Sequence, residues 1–108
     1  MINSNKAQLV QTTVEQSIQP LLADIPAFKR FKGYYKLIEC NSRIDEYGKT
    51  YWIIKLFDFS STIQVYCFNM NEYIKSLRLN SKVHIEATIK QVNGFRYVRC
   101  AFLQSAKN

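Results

Sequence analysis

Residue types that build metal centres and catalytic relays are scarce in this chain. His84 is the only histidine, and the three cysteines, Cys40, Cys67 and Cys100, are widely spaced with no Cys-x-x-Cys pair. The common structural zinc sets are built from closely spaced Cys or His pairs, and no such pair exists here. No metal and no cofactor is expected. An odd number of cysteines, each inside an apolar stretch, reads as reduced core thiols of a cytoplasmic protein. There is no Gly-rich phosphate loop, no His/Cys/Asp constellation and no pair of acids at helical spacing, so the chain is not expected to be an enzyme. Asp45 and Glu46 are neighbours in a turn, where acids are ordinarily solvated. His84 falls on the outward parity of its strand without an obvious partner.

Glycine (3) and proline (2) are also few, which leaves no long flexible linker. No apolar run approaches the roughly 20 residues that span a bilayer. The N-terminus lacks a basic segment followed by an apolar one, so neither membrane insertion nor secretion is expected. Acidic residues are outnumbered: 8 Asp and Glu stand against 15 Lys and Arg, a net charge of +7. Residues 1–31 hold three basic and two acidic residues; residues 32–108 hold twelve basic and six acidic. The excess therefore lies on the later part of the chain and favours a polyanionic partner, nucleic acid before an anionic membrane.

What the chain does have is apolar and aromatic side chains, 47% and 14% of its 108 residues, enough for one domain around a single core. The stretch from Gly48 to Phe68 organises it. Residues 50–57 and 62–68 are dense in β-branched and aromatic types and are separated by a short polar turn, Asp58–Ser61. Alternation places Trp52, Ile54 and Leu56, with Ile63, Val65 and Cys67, on the core side. The other side carries Tyr51, Ile53, Lys55 and Phe57 beside Thr62, Gln64, Tyr66 and Phe68. A solvated sheet face is ordinarily polar. One with rings and cations can stack bases and hold phosphates.

Around this pair, residues 4–23 read as a helix capped by Ser4 or Asn5, with an apolar stripe of Val10, Val14, Ile18 and Leu21/Leu22. A break is expected near Gln19, with Pro20 opening a final turn. A strand follows over 33–43, long enough to bend, since Leu37, Ile38 and Cys40 cannot share one face. Asp45–Gly48 turns the chain. A short helix is predicted over 71–77, capped by Asn69 or Asn71, with Tyr73, Ile74 and Leu77 inward. Residues 81–91 alternate cleanly, with Val83, Ile85, Ala87 and Ile89 inward. Asn93-Gly94 predicts a tight hairpin. In the last strand, 95–104, Val98, Cys100 and Phe102 share a parity opposite Tyr97, Arg99 and Ala101. The organisation is thus an N-terminal helical extension (1–31), a mostly β domain (32–104) and a frayed tail (105–108).

Five strands with a helix between the third and fourth is the order of the OB-fold, a five-stranded Greek-key barrel. The segments Gly48-Lys49-Thr50-Tyr51, Leu56-Phe57-Asp58 and Ile63-Gln64-Val65 resemble the G-K-x-Y…L-x-D…I-x-V pattern of nucleic-acid-binding OB domains of the anticodon-binding type. Val83, Ile85, Ala87 and Ile89 followed by Asn93-Gly94 resemble a further segment of it. The likeness spans about residues 33–103. It implies a ligand crossing the second and third strands between the first-to-second and fourth-to-fifth loops. It also implies a glutamine at Gln64 that holds a base. Ile53 stands where the family has a phenylalanine, leaving Tyr51, Phe57 or Tyr66 to supply the stacking. Ala87 and Ser60-Ser61 stand where the family has glycines. Asp58 is expected to bond turn amides.

The expected function is non-enzymatic binding of single-stranded DNA or RNA. Tyr51, Phe57 and Tyr66 would stack bases and Gln64 would contact one. Arg43, Lys49, Lys55, Lys90 and Arg96 would hold phosphates. Arg96 and Arg99 differ by an odd number, so at most one of them reaches the groove unless the strand bulges. The alternative is a protein-interaction module on the same barrel, with the N-terminal stripe docking on a protein partner or pairing two copies as a homodimer.

Overall fold

The computed structural model describes residues 19–106. Most of the helix expected over 4–23, with its apolar stripe, lies outside them. Of its described end, Gln19–Leu21 are not helical, and a 3-10 helix runs over Leu22–Ala27. Five strands follow: β1 (Arg30–Ile44), β2 (Thr50–Asp58), β3 (Ser61–Phe68), β4 (Lys82–Val92) and β5 (Phe95–Ser105). A short helix, α1 (Asn71–Ile74), lies between β3 and β4. The strands close into a barrel in the order β1-β2-β3-β5-β4, with β4 returning to β1. All pairings are antiparallel except the one that closes the barrel, where β3 and β5 run parallel and Tyr66 meets Arg99.

Alternation builds the interior. Ile54, Leu56, Val65, Cys67, Val83 and Ile85 all point inward and are fully buried. Two bulges break the alternation: one settles a face that sequence alone leaves open, and the other reverses a face that simple parity assigns. In β1 the pairing to β2 slips between Leu37 and Glu39, so Ile38 is the extra residue and Cys40 returns inward opposite Ile54. In β5 the slip lies opposite Glu86/Ala87: Cys100 pairs with Ala87 and Phe102 with Glu86, so Ala101 is the extra residue. The simple parity that put Phe102 with Val98 and Cys100 therefore fails after Cys100. Leu103 fills the core, and Phe102 lies outside with its edge on His84.

The turns obey their residues. Gly48 has φ +82°, and the Asp45 carboxylate accepts hydrogen bonds from the N–H groups of Tyr47 and Lys49, both 2.8 Å. Asn93 (φ 50°) and Gly94 (φ 81°) are both left-handed, as a two-residue hairpin that follows sheet twist requires. Neither Asn69 nor Asn71 caps α1. Met70 precedes it without a side-chain bond, and Asn71 Oδ1 instead accepts the Trp52 indole N–H at 2.6 Å. Of the residues expected inward here, Ile74 is buried, Leu77 is half-buried and Tyr73 is exposed.

The segment before β1 seals one end of the barrel. Leu22 and Ile25 are each 1% exposed and join the core, worth roughly 1.5–3 kcal/mol apiece. Asp58 ties this plug to the β2–β3 turn. Its carboxylate accepts from the N–H of Leu22 (2.9 Å), the N–H of Ser60 (2.8 Å), the Ser60 hydroxyl (2.6 Å) and the N–H of Ser61 (3.1 Å). Burial pushes this carboxyl up. The bonds from the Ser60 hydroxyl and from the amides of Leu22, Ser60 and Ser61 outweigh that and hold it below the usual carboxylate range. Tyr35, also buried, donates its hydroxyl to the Pro20 carbonyl at 2.6 Å. Burial, then the nearby Asp58 charge, push its pKa up to about 12. Gln19 lies flat against β1, accepting from Tyr34 N–H and donating to Tyr34 C=O, both at 2.7 Å. Gly33 leaves room for that contact, since a Cβ there would stand 2.8 Å from both Gln19 Oε1 and the Tyr35 hydroxyl.

The three cysteines carry no disulfide. Cys67 and Cys100 are buried, while Cys40 is half-buried against the core. Its hydrogen bond with Cys100, then burial, push the Cys67 thiol up, and burial does the same to Cys40. Such thiols are poor nucleophiles and poor metal ligands. Among the described residues, no helix is long and apolar enough to cross a membrane, and no group of three or more His, Cys, Asp or Glu could hold a metal ion.

Candidate nucleic-acid interface

On the outer face of β2, β3 and β5, inter-strand register collects the rings. Tyr51 pairs with Phe68, Ile53 with Tyr66 and Lys55 with Gln64 across β2–β3. The barrel-closing contact then sets Tyr66 beside Arg99, which brings Tyr97 in from β5. The Tyr51 and Phe68 centroids lie 5.4 Å apart, and those of Tyr66 and Phe68 lie 6.3 Å apart and 17° from parallel. Tyr97 meets Tyr66 edge-on at 5.6 Å and stacks on Phe95 at 5.8 Å. Five rings thus form one continuous surface over three strands. Tyr51, Tyr66, Phe68 and Tyr97 are half-buried, each supported from below with part of the ring open, and Phe95 is exposed.

Cations stand along it. The Arg99 guanidinium lies over the Phe68 ring, 5.1 Å from its centroid, which orients the charge without neutralising it. Lys49, Thr50, Tyr51, Phe68, Tyr97 and Arg99, together with Asp45 and Asn69, line a depression of about 310 Å³. A second of about 340 Å³ continues from Phe68 and Arg99 to Thr88 and Lys90. Arg43 pairs with Tyr51 across β1–β2 and is exposed.

Of the nine residues singled out from sequence, five gather here: Arg43, Lys49, Tyr51, Tyr66 and Lys90. Lys55 and Gln64 share the outer face one pair further along. There Lys55 Nζ lies 3.5 Å from Glu39 Oε2, so part of its charge is already met. Phe57 does not join the rings: it sits six residues from Tyr51, about 20 Å along the strand, opposite Thr62 near the β2–β3 turn. Arg96 lies apart from the rings. It takes the parity opposite Tyr97, and its guanidinium donates to the Pro26 carbonyl. It thereby borders an apolar cavity of about 200 Å³ with Ile25, Pro26, Ile63 and Ile89. Sequence reasoning names Phe68 on this face but not as a ligand contact, leaves out Tyr97, and takes Arg96 rather than Arg99 for the groove. Phe68 was within reach, since it shares the parity of Tyr66. Tyr97 and Arg99 share a parity too, but only the parallel β3–β5 closure shows which wall they join.

No protein-family model matches the chain, and neither does any curated protein. Its fold has clear counterparts among solved structures. The chain is similar to the mitochondrial single-stranded DNA binding protein Rim1 of S. cerevisiae (TM-score 0.61, 14% identity, covering 75% of this chain and 98% of that one). It is similar to the OB domain of a Thermoplasma acidophilum protein (TM-score 0.59, 15% identity, 82% and 87%). It is also similar to a chain of a Replication Protein A heterotrimer bound to single-stranded DNA (TM-score 0.55, 14% identity), covering 75% of this chain and 60% of that longer one. The chain is an OB-fold barrel.

Proposed function

We propose that this protein binds single-stranded nucleic acid, without catalysis, along the wall of β2, β3 and β5. The observation that carries the reading is the unbroken surface of Tyr51, Tyr66, Phe68, Tyr97 and Phe95, with Arg99 held over Phe68. Flat faces presented side by side fit unpaired bases, each stack contributing about 1–3 kcal/mol. Lys49, Arg43, Arg99 and Lys90 lie where the intervening phosphates would run. Paired bases hide their faces in the duplex, so a ring-lined wall selects single strands. The solved neighbours named above include single-stranded DNA binders on the same barrel, which agrees with the reading. The anticodon-binding likeness adds a finer proposal: exposed Gln64, beside the rings, offers donors and acceptors to a base edge.

The test is a fluorescence titration with single-stranded and duplex oligonucleotides over a salt series. Single strands should quench the tyrosines, bind more tightly than duplex, and weaken with salt at a logarithmic slope of about −0.7 per phosphate contacted. Affinity indifferent to salt, or a preference for duplex, would refute the proposal.

A further inference from the structure

The first half of β1 and the adjoining β4 carry a second outer face of the same chemical kind. Tyr34 and His84 are direct cross-strand partners, their rings stacked at 4.5 Å and 13°, with Phe102 edge-on to His84 at 5.6 Å. Tyr34 is 49% exposed, so this stack of rings ends in solvent. The backbone of Tyr34 is held from the side by both bonds to Gln19, so the stack is fixed in advance.

The next pair along is Lys36 opposite Lys82, both exposed. Like charges directly opposite on one sheet face are destabilising. Among the described residues neither lysine has an ion-pair partner. On the other side of the stack, Lys32 faces half-buried Glu86, and Arg30 faces Thr88. Two unmatched lysines beside an open ring form a surface patch of charge and flat area suited to a phosphate and the base attached to it.

Geometry also connects this face to the wall already described. Thr88 is the partner of Arg99 on one side and of Arg30 on the other. A strand leaving the wall over Arg99 therefore crosses a single β-strand to reach Arg30. The Tyr34–His84 stack lies four residues further, about 13 Å.

We propose that the β1–β4 face is a second contact for the same single strand: a base stacks on the free face of Tyr34, and a neighbouring phosphate lies between Lys36 and Lys82. This rests on the binding proposed for the wall, and it predicts that long oligonucleotides engage a surface short ones cannot reach.

The experiment compares deoxythymidine oligomers of about 5 and about 16 nucleotides, lengths near the two ends of OB-fold site sizes. The variants are Lys36→Glu, Tyr34→Ala and, on the wall, Tyr66→Ala. Lys36→Glu replaces a like-charge pair with an opposite one, so it should melt no lower than wild type, which separates lost contact from lost fold. The expected result is that Lys36→Glu and Tyr34→Ala bind the 5-mer within about twofold of wild type but the 16-mer about tenfold more weakly. Lys36→Glu should also flatten the 16-mer salt slope by about 0.7 or more. Tyr66→Ala should weaken both oligomers. If Lys36→Glu leaves the 16-mer affinity and slope unchanged, or weakens both lengths alike, the second contact is refuted while the wall stands. If Tyr66→Ala changes neither, the wall is refuted. If wild type binds neither oligomer, both proposals fall.

Discussion

The barrel uses tyrosine in two opposite ways, and the contrast separates what holds the fold from what faces a ligand. At the sealed end, Tyr35 is 2% exposed, its hydroxyl is bonded to Pro20, and burial beside Asp58 makes it hard to ionise. On the wall, Tyr51 and Tyr66 lie flat against neighbouring rings with part of each ring in solvent. The sealed end is dense in hydrogen bonds from the chain to itself. The wall is held by ring contacts and one guanidinium, so removing a ring there costs contact area without stranding a buried polar group. Substitutions at the two sites should therefore move different observables: binding at the wall, stability at the seal.

The largest effect is expected from Tyr66→Ala combined with Arg99→Ala. Loss of a central stack and its adjoining cation should weaken oligonucleotide binding by about 100-fold or more, measured by fluorescence titration. The midpoint of urea unfolding should barely shift. A large fall in stability would show that the rings belong to the core, erasing the contrast.

At the seal, Asp58→Ala should lower unfolding free energy by about 2–3 kcal/mol, since it strands the buried Leu22 amide and unties the turn. Affinity for oligonucleotide should stay within about twofold of wild type. The folded pKa of Asp58 lies below its ordinary value of 3.8. Its stabilisation is therefore whole above roughly pH 4 and is lost as pH falls through the lower folded value. Urea midpoints measured between neutral pH and pH 2 should converge for Asp58→Ala and wild type at the acid end.

Gly33→Ala is expected to cost about 1–2 kcal/mol, because its Cβ would displace the Gln19 amide or the Tyr35 hydroxyl. Thermal unfolding would read it.

Tyr35→Phe should be mildest, about 1 kcal/mol for the lost bond to Pro20. It carries its own signature at alkaline pH. A phenol whose folded pKa is raised from 10.0 to about 12 stabilises fully below pH 10, and that contribution fades as pH rises toward 12. Wild type should lose stability over that window more steeply than the variant.

The contrast also explains what the sequence disclosed and what it did not. The succession of strands along the chain, the Asn93-Gly94 hairpin and the inward set from Ile54 to Ile85 follow from alternation and turn chemistry, which act between near neighbours. So does the turn-bonding role of Asp58. Its bond to the Leu22 amide was not legible, because the partner lies 36 residues away. The same limit governs the wall. Tyr51 and Tyr66 could be read from parity within a hairpin, whereas Tyr97 and Arg99 join only through the parallel closure of β3 on β5. Phe102 was misplaced because the extra residue at Ala101 reverses the faces of the strand beyond it. Arg96 lies apart from the rings because its parity turns it toward Pro26.

The most direct test of the wall is an amide and aromatic chemical-shift map of the protein, free and with a single-stranded oligonucleotide. The largest shifts are predicted at Tyr51, Tyr66, Phe68, Tyr97 and Arg99, with residues around Leu22, Tyr35 and Asp58 unmoved. Shifts centred on the sealed end and its apolar cavity, with the five-ring surface unchanged, would contradict the account.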